Sequence, residues 1–150
     1  FRSMCVQSES VIKYLKIHTL NKGQWYDRDT ILLHAAFQVL ADFIEQERPD
    51  EIVEWQHDEL HSNAWSELTQ LYRWWKEERL NRHDPLDDVP SPPEEEYVFS
   101  EEGQLIFPDR EKYQDYYAAM DRSLKLENEW YEEDQRQLHR LIEVRPFLWT

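Results

Sequence analysis

The stretch from Ile31 to Gln46 constrains the fold more than any other part of the chain. Leu33, Ala36, Phe37, Leu40, Phe43 and Ile44 recur at steps of three and four residues, which places them on one face of an α-helix. Leu32, Ala35 and Val39 widen that face until most of the circumference is apolar, so this helix is expected at the centre of the fold. Asp29 or Thr30 offers a capping oxygen at its start, and Pro49 marks its break. The most apolar part carries His34, Gln38 and Asp42 and is too short to span a bilayer, which takes about 20 apolar residues.

Other segments follow the same period. Ser8 or Ser10 is placed to cap a first helix reaching Leu20, with Val11, Ile12, Tyr14 and Leu15 on its apolar face and Gly23 as its stop. An acid-rich helix is expected from Asp50 to Leu60. Ser62 would cap the next, which runs to Leu80 with Ala64, Trp65, Leu68, Leu71, Tyr72 and Trp75 along one side. Arg110 to Arg145 reads as one long helix or two collinear pieces, with Tyr113, Tyr117, Met120, Leu124, Tyr131, Leu138 and Leu141 as its approximate stripe, until Pro146 stops it. Between these helices, residues 84–109 hold five prolines and the run Glu94-Glu95-Glu96. An insertion of this length is functional or mobile in a compact domain. Within it, Tyr97-Val98-Phe99 and Leu105-Ile106-Phe107 flank Gly103, which can take a left-handed turn and close a small hairpin. Such a hairpin would have to pack on the helices to be stable.

The chain is therefore expected to be one all-α domain, residues 1–150, a compact bundle of four to five helices with a Pro-rich insertion. Two glycines in 150 residues argue against a β-sandwich or barrel, and 21 aromatic residues argue for a core despite a mean hydropathy of −0.90. A net charge of −15 argues against broad binding to a nucleic-acid backbone, which depends on Lys and Arg. One cysteine, Cys5, excludes an internal disulfide framework and a multi-Cys zinc site, and it has no activating partner in the sequence. With no secretory or membrane segment evident, a reducing cytoplasm is the expected compartment. Phe1-Arg2-Ser3 before Met4 reads as a cloning remnant.

Four groups of residues could carry chemistry. His34, Gln38, Asp42 and Glu45 fall at i, i+4, i+8 and i+11 and share one helix face. They could bind a cation, but the expected role is the solvated side of an amphipathic helix. On the long helix, Glu127 and Asp134 lie near the centre of the apolar stripe, with Glu132 and Glu133 nearby. A carboxylate facing a core must be paired, hydrogen-bonded or ligated. His57 and His61 stand four residues apart with Asp58 between them, a spacing that suits a shared zinc but is expected to be an exposed pair near a helix end. Arg73, Trp74, Arg79 and Arg82 form the aromatic-basic cluster. Trp75 belongs to the core, whereas Trp74 points about 100° away and is expected to be exposed or covered by the insertion.

Two resemblances add to this. The segments Trp25 to Gln38 and Leu71-Tyr72-Arg73-Trp74-Trp75, together with the tail from Glu132-Glu133-Asp134 through Leu148-Trp149, resemble hypothetical proteins encoded by tailed bacteriophages. That likeness implies a virus-encoded protein made in bacterial cytoplasm and carries no activity with it. Asp42-Phe43-Ile44-Glu45 and Glu67-Leu68-Thr69-Gln70 resemble the Glu-x-x-Glu and Glu-x-x-Asp pairs of the all-α MazG-type nucleotide pyrophosphohydrolases, each with one departure. That resemblance implies Mg or Mn held by Asp42, Glu45 and Glu67 with Glu133 or Asp134, and an arginine of the Trp74 cluster on a nucleotide phosphate. Gln70 in place of an acid removes one negative ligand.

Three functions are open at this level. The leading one is an acidic phage-type accessory protein that occupies a basic surface on a host or phage macromolecule, without a resident cofactor and without a membrane. The second is the metal-dependent nucleotide hydrolase, and the third is a minor virion component. Charge predicts steering toward a partner, not the partner's identity.

Overall fold

The computed structural model describes residues 14–149. The expected helix caps Ser8 and Ser10, the apolar Val11 and Ile12, Cys5 and the first three residues lie outside them. Four α-helices are present among the described residues: α1 Arg28–Asp42, α2 Pro49–Ile52, α3 Glu59–Arg73 and α4 Gln114–Val144. The strands β1 Val98–Phe99 and β2 Leu105–Ile106 pair antiparallel, with Val98 opposite Ile106 and Phe99 opposite Leu105. The mostly helical class expected from the sequence is the class observed.

The core forms where α1, α3 and the C-terminal third of α4 meet. Leu33, Phe37, Leu40 and Phe43 from α1 and the turn after it pack with Ala64, Leu68, Leu71, Trp74 and Trp75, and with Leu141 and Val144. Phe37 has no exposed surface and stacks on Trp75, with ring centroids 4.7 Å apart and planes 16° from parallel. Trp55 stacks on Trp65 at 5.0 Å and donates its indole N–H to the Pro49 carbonyl at 3.1 Å. Phe147 and Leu148 close the end of the core after the Pro146 turn. Leu32 and Val39 are exposed, so α1 is not fully surrounded.

Several local expectations are corrected. Residues 14–20 are not helical; they run as irregular chain across α1. The backbone N–H of His18 donates to Gln38 Oε1 at 3.1 Å, and the Thr19 hydroxyl meets His34 Nδ1 at 2.6 Å, so this segment takes its hydrogen bonds from α1 instead of from itself. Gly23 takes a left-handed φ of 85° in a turn there. The helix expected over 50–60 is only four residues long, followed by a 3₁₀ turn at Trp55–His57. It starts at Pro49 after Arg48 in the left-handed region, and Asp58, not Ser62, caps α3 by accepting the His61 N–H at 2.7 Å. Both α1 and α3 end in single π-helical stretches, Phe43–Glu47 and Trp74–Glu78.

On α4 the expected stripe holds in part: Tyr117 and Leu141 are buried and Leu138 packs on the core, but Leu124 and Tyr131 are exposed. A strict seven-residue step lags a straight helix by about 20° per repeat. The inward line keeps Tyr117 and Leu141 and adds Ser123, Trp130, Asp134 and Val144. At about 1.5 Å per residue, the 31 residues of α4 extend about 46 Å, well past the aromatic core. The insertion lies along that extension. A 3₁₀ turn at Pro85–Asp88 packs on α4, and the buried Tyr117 hydroxyl donates to the Pro108 carbonyl at 2.7 Å.

Phe37→Ala removes a fully buried ring from the stack on Trp75. It should lower the free energy of unfolding by about 3–5 kcal/mol, read from urea denaturation. A loss under about 1 kcal/mol would mean that the core refills the space and that the stack contributes little.

Candidate functional site

The aromatic-basic cluster and the acids of α4 converge in one network. Trp74 and Trp75 are adjacent in sequence, yet both are buried, at 3% and 4% exposure. The expectation of an exposed or insertion-covered Trp74 is corrected: α4 covers it, and its indole N–H donates to Glu133 Oε1 at 3.0 Å. Two neighbouring indoles fit because they fill a cleft with walls on both sides. His34 and Phe37 of α1 line one wall and Glu133 of α4 lines the other.

Arg79 and Arg82 lie over these rings. Arg79 sits 4.9 Å from the Trp75 ring centroid and forms a bidentate pair with Asp134, both bonds 3.1 Å. Arg82 reaches Glu133 at 2.6 Å and Asp134 at 2.8 Å, and lies 5.8 Å from both the Trp74 and Trp130 rings. Its buried Nε has no hydrogen-bond partner; the aromatic faces supply the remaining attraction. Burial pushes the Asp134 carboxyl upward, but hydrogen bonds and charge from Arg79 and Arg82 outweigh it and hold the group below its ordinary value. The requirement that a core-facing acid be paired is therefore met by two guanidinium groups. Arg73 stands apart on the surface with Glu77 and Glu78, and Glu127 is exposed.

The polar row of α1 is also corrected. His34 and Gln38 are 8% and 5% exposed, so the first half of this face is not solvated, whereas Asp42 is half-buried and Glu45 is exposed as expected. Segment 18–19 covers it, and the His34 ring meets Trp75 edge-on at 4.9 Å. Burial lowers the His34 pKa, with the Arg79 charge acting the same way and Asp134 opposing. Gln38 donates to Asp42 at 2.9 Å, and Gln46 donates to the same oxygen at 3.1 Å.

The five acids considered as a metal set are engaged separately. Glu67 takes a bidentate pair from Arg140 at 2.6 and 2.9 Å, and that hydrogen bonding holds its carboxyl below the usual range. Glu45 accepts from Lys76 and from the Tyr72 hydroxyl, both at 2.7 Å. Burial and the Glu45 carboxylate push the Tyr72 pKa up to about 12. Asp42 is held by Gln38 and Gln46, and Glu133 and Asp134 by the arginines. Among the described residues, the one group of three or more metal-ligating side chains with gathered ligand atoms is instead His57, Asp58 and His61.

A second surface was only partly foreseen. Between residues 84 and 115 there are eleven carboxylates and two basic side chains, so nine of the fifteen surplus negative charges sit in about a fifth of the chain. Here the hairpin closes through Gly103 at φ 81°, with Ser100 N–H donating to Gln104 O at 2.8 Å and Gly103 N–H to Ser100 O at 2.9 Å. Its base is fixed by a Glu96–Lys112 ion pair and by Tyr97 edge-on to Phe107 at 6.3 Å. The hairpin was expected to bury its apolar residues on the helices. Instead Val98, Phe99, Leu105, Ile106 and Phe107 are all exposed, Phe99 at 72% and Phe107 at 65%. The alternation of apolar residues signalled strands; nothing in it signalled that both faces stay uncovered.

No protein-family model matches this chain, and no curated protein or solved structure matches it significantly. No helix of the described residues is long and apolar enough to cross a membrane.

Asp134→Asn removes the charge that Arg79 and Arg82 share and should cost about 3 kcal/mol at neutral pH. The pH dependence of the melting temperature tests the sign. The Asp134 contribution is present above its unfolded value, about 3.9, and is lost as pH falls through its lower native value. For His34, the native state resists protonation, so stability declines as pH drops below the unfolded value of 6.5 toward the lowered native one. The wild type should decline in both windows, Asp134→Asn should shrink the acidic one, and His34→Gln should remove the upper one.

Proposed function

We propose that this chain is an acidic accessory protein of the phage type, which binds a protein partner through the hairpin end of the insertion. The observation that carries this reading is the coincidence on one segment of five exposed large apolar side chains and most of the surplus negative charge. An exposed apolar patch ringed by charge marks an interaction surface. The partner that complements it presents an apolar pocket with a basic rim. A second copy of the same chain is a poor occupant, because two such ends repel each other.

The arginine–aromatic network serves to hold α4 against α1 and α3, which carries the insertion out beyond the core. Its guanidinium groups are already charge-paired with Glu133 and Asp134, which opposes their use on a phosphate. The hydrolase reading requires Asp42, Glu45 and Glu67 to share a cation with Glu133 or Asp134, and each of these is held by its own donor. The likeness to tailed-bacteriophage proteins agrees with a partner found in a bacterial cell.

The test compares three forms of the full chain as bait in bacterial lysate: wild type, Phe99→Ser with Phe107→Ser, and Glu94→Gln with Glu95→Gln, which leaves the Glu96–Lys112 pair in place. A protein held by the wild type is then purified and titrated directly. Loss of the two rings should weaken binding about thirtyfold, the effect of roughly 2 kcal/mol at an interface anchor. The glutamine form should bind more weakly at low salt and show a flatter salt dependence. A complex that ignores both salt and the ring substitutions, or a self-association that the ring substitutions abolish, would overturn the proposal.

A further inference from the structure

The turn between α2 and α3 carries three ligand-bearing side chains on elements separate from both the aromatic network and the hairpin. We propose that His57, Asp58 and His61 bind one divalent cation of the zinc class, through His57 Nε2, the Asp58 carboxylate and His61 Nδ1.

The geometry already approximates such a site. One ligand atom from each residue lies within 4.8 Å of the other two. His57 Nε2 is 2.7 Å from Asp58 Oδ2, and His61 Nδ1 is 2.8 Å from Asp58 Oδ1. Around a tetrahedral zinc with bonds of about 2.0–2.1 Å, neighbouring ligand atoms stand about 3.3 Å apart. Small rotations of exposed side chains supply the difference, and His57 is about half exposed.

The hydrogen bonding of His57 orients its ring for such a site. Its Nδ1 lies 2.7 Å from the Glu54 carbonyl, which can only accept, so Nδ1 carries a hydrogen. The opposite nitrogen then faces a carboxylate oxygen, again only an acceptor, at 2.7 Å. With its hydrogen on Nδ1, the ring keeps the Nε2 lone pair for an ion, and that nitrogen lies on the same side as the Asp58 carboxylate. A ring that donates its far N–H to a backbone carbonyl is also the usual support of a metal-bound histidine.

The other two ligands are held in advance. Asp58 is fixed as the N-cap of α3 by the His61 N–H. The His61 ring is edge-on to Phe147 at 5.5 Å and 85°, and tilted beside Trp55. The helix N-terminus by itself disfavours a cation; Asp58, with Glu54 and Glu59 flanking in sequence, keeps the local charge negative. Two imidazoles with one carboxylate select zinc, cobalt, nickel or copper over magnesium and calcium, which favour oxygen ligands. Three protein ligands leave a fourth position for water. The ion would clasp the turn at 55–57 to the first turn of α3.

Cobalt titration of the tag-free full chain tests this, with zinc as competitor and thermal melts alongside. Visible cobalt bands should saturate at one ion per chain and vanish on zinc addition, and zinc, but not magnesium, should raise the melting temperature. His57→Ala should abolish the bands while leaving the circular dichroism and the melt in chelator unchanged. Asp58→Asn keeps a capping oxygen and should weaken zinc at least tenfold. A wild-type chain without bands or a zinc-dependent melt overturns the proposal, and so does full cobalt binding by His57→Ala. Neither result bears on the hairpin, so the partner-binding proposal stands or falls separately.

Discussion

The burial of Trp74 and Trp75 side by side is the constraint on which the rest of the structure depends. Adjacent residues on a helix point in different directions, so a single partner helix can cover only one of them. Covering both requires a wall on each side: α1 brings Phe37 and His34, and α4 brings Glu133. The bundle geometry follows from this demand. The buried indole N–H of Trp74 then needs an acceptor, and the partly exposed Glu133 supplies it at the rim of the cleft. The more deeply placed Asp134 needs a cation, and Arg79 and Arg82 supply it. Both pairings follow from the cost of leaving a buried polar group unpaired.

The acids consequently divide into two populations. Glu133, Asp134 and Glu67 are neutralised by Arg82, Arg79 and Arg140 across helix interfaces, and their charge is spent inside the molecule. The acids of the insertion have few cations near them in sequence, and most of them, Glu94, Glu95, Glu101 and Glu102 among them, stay in water. Their mutual repulsion would oppose collapse of the hairpin onto the bundle, which agrees with the exposure of Phe99 and Phe107. Because α4 runs far past the core, that end projects from a rigid support.

The polar row on α1 shows how one feature can serve an unforeseen purpose. His34 and Gln38 receive the irregular segment at 18–19. A helix face that looks wet in isolation thus becomes a seam. The lowered pKa of His34 reflects that covering.

The apolar spacing of 31–46 and 62–75 made the two central helices legible, because burial demands a continuous stripe and only a helix provides one at that period. The prolines and Gly103 likewise announced the insertion and its turn through backbone stereochemistry, which is local. The inward placement of Asp134 was also visible, as an acid interrupting an apolar line, although drift along α4 displaced Leu124 and Tyr131 from it. What the sequence could not state was which groups would meet: that Arg79 and Arg82 pair with Glu133 and Asp134 more than fifty residues away, that His34 is covered, and that Asp58 rather than Ser62 caps α3 and draws His57 and His61 to it. Periodicity is a property of one segment, whereas pairing, burial and ligand geometry belong to surfaces that come together only when the segments pack.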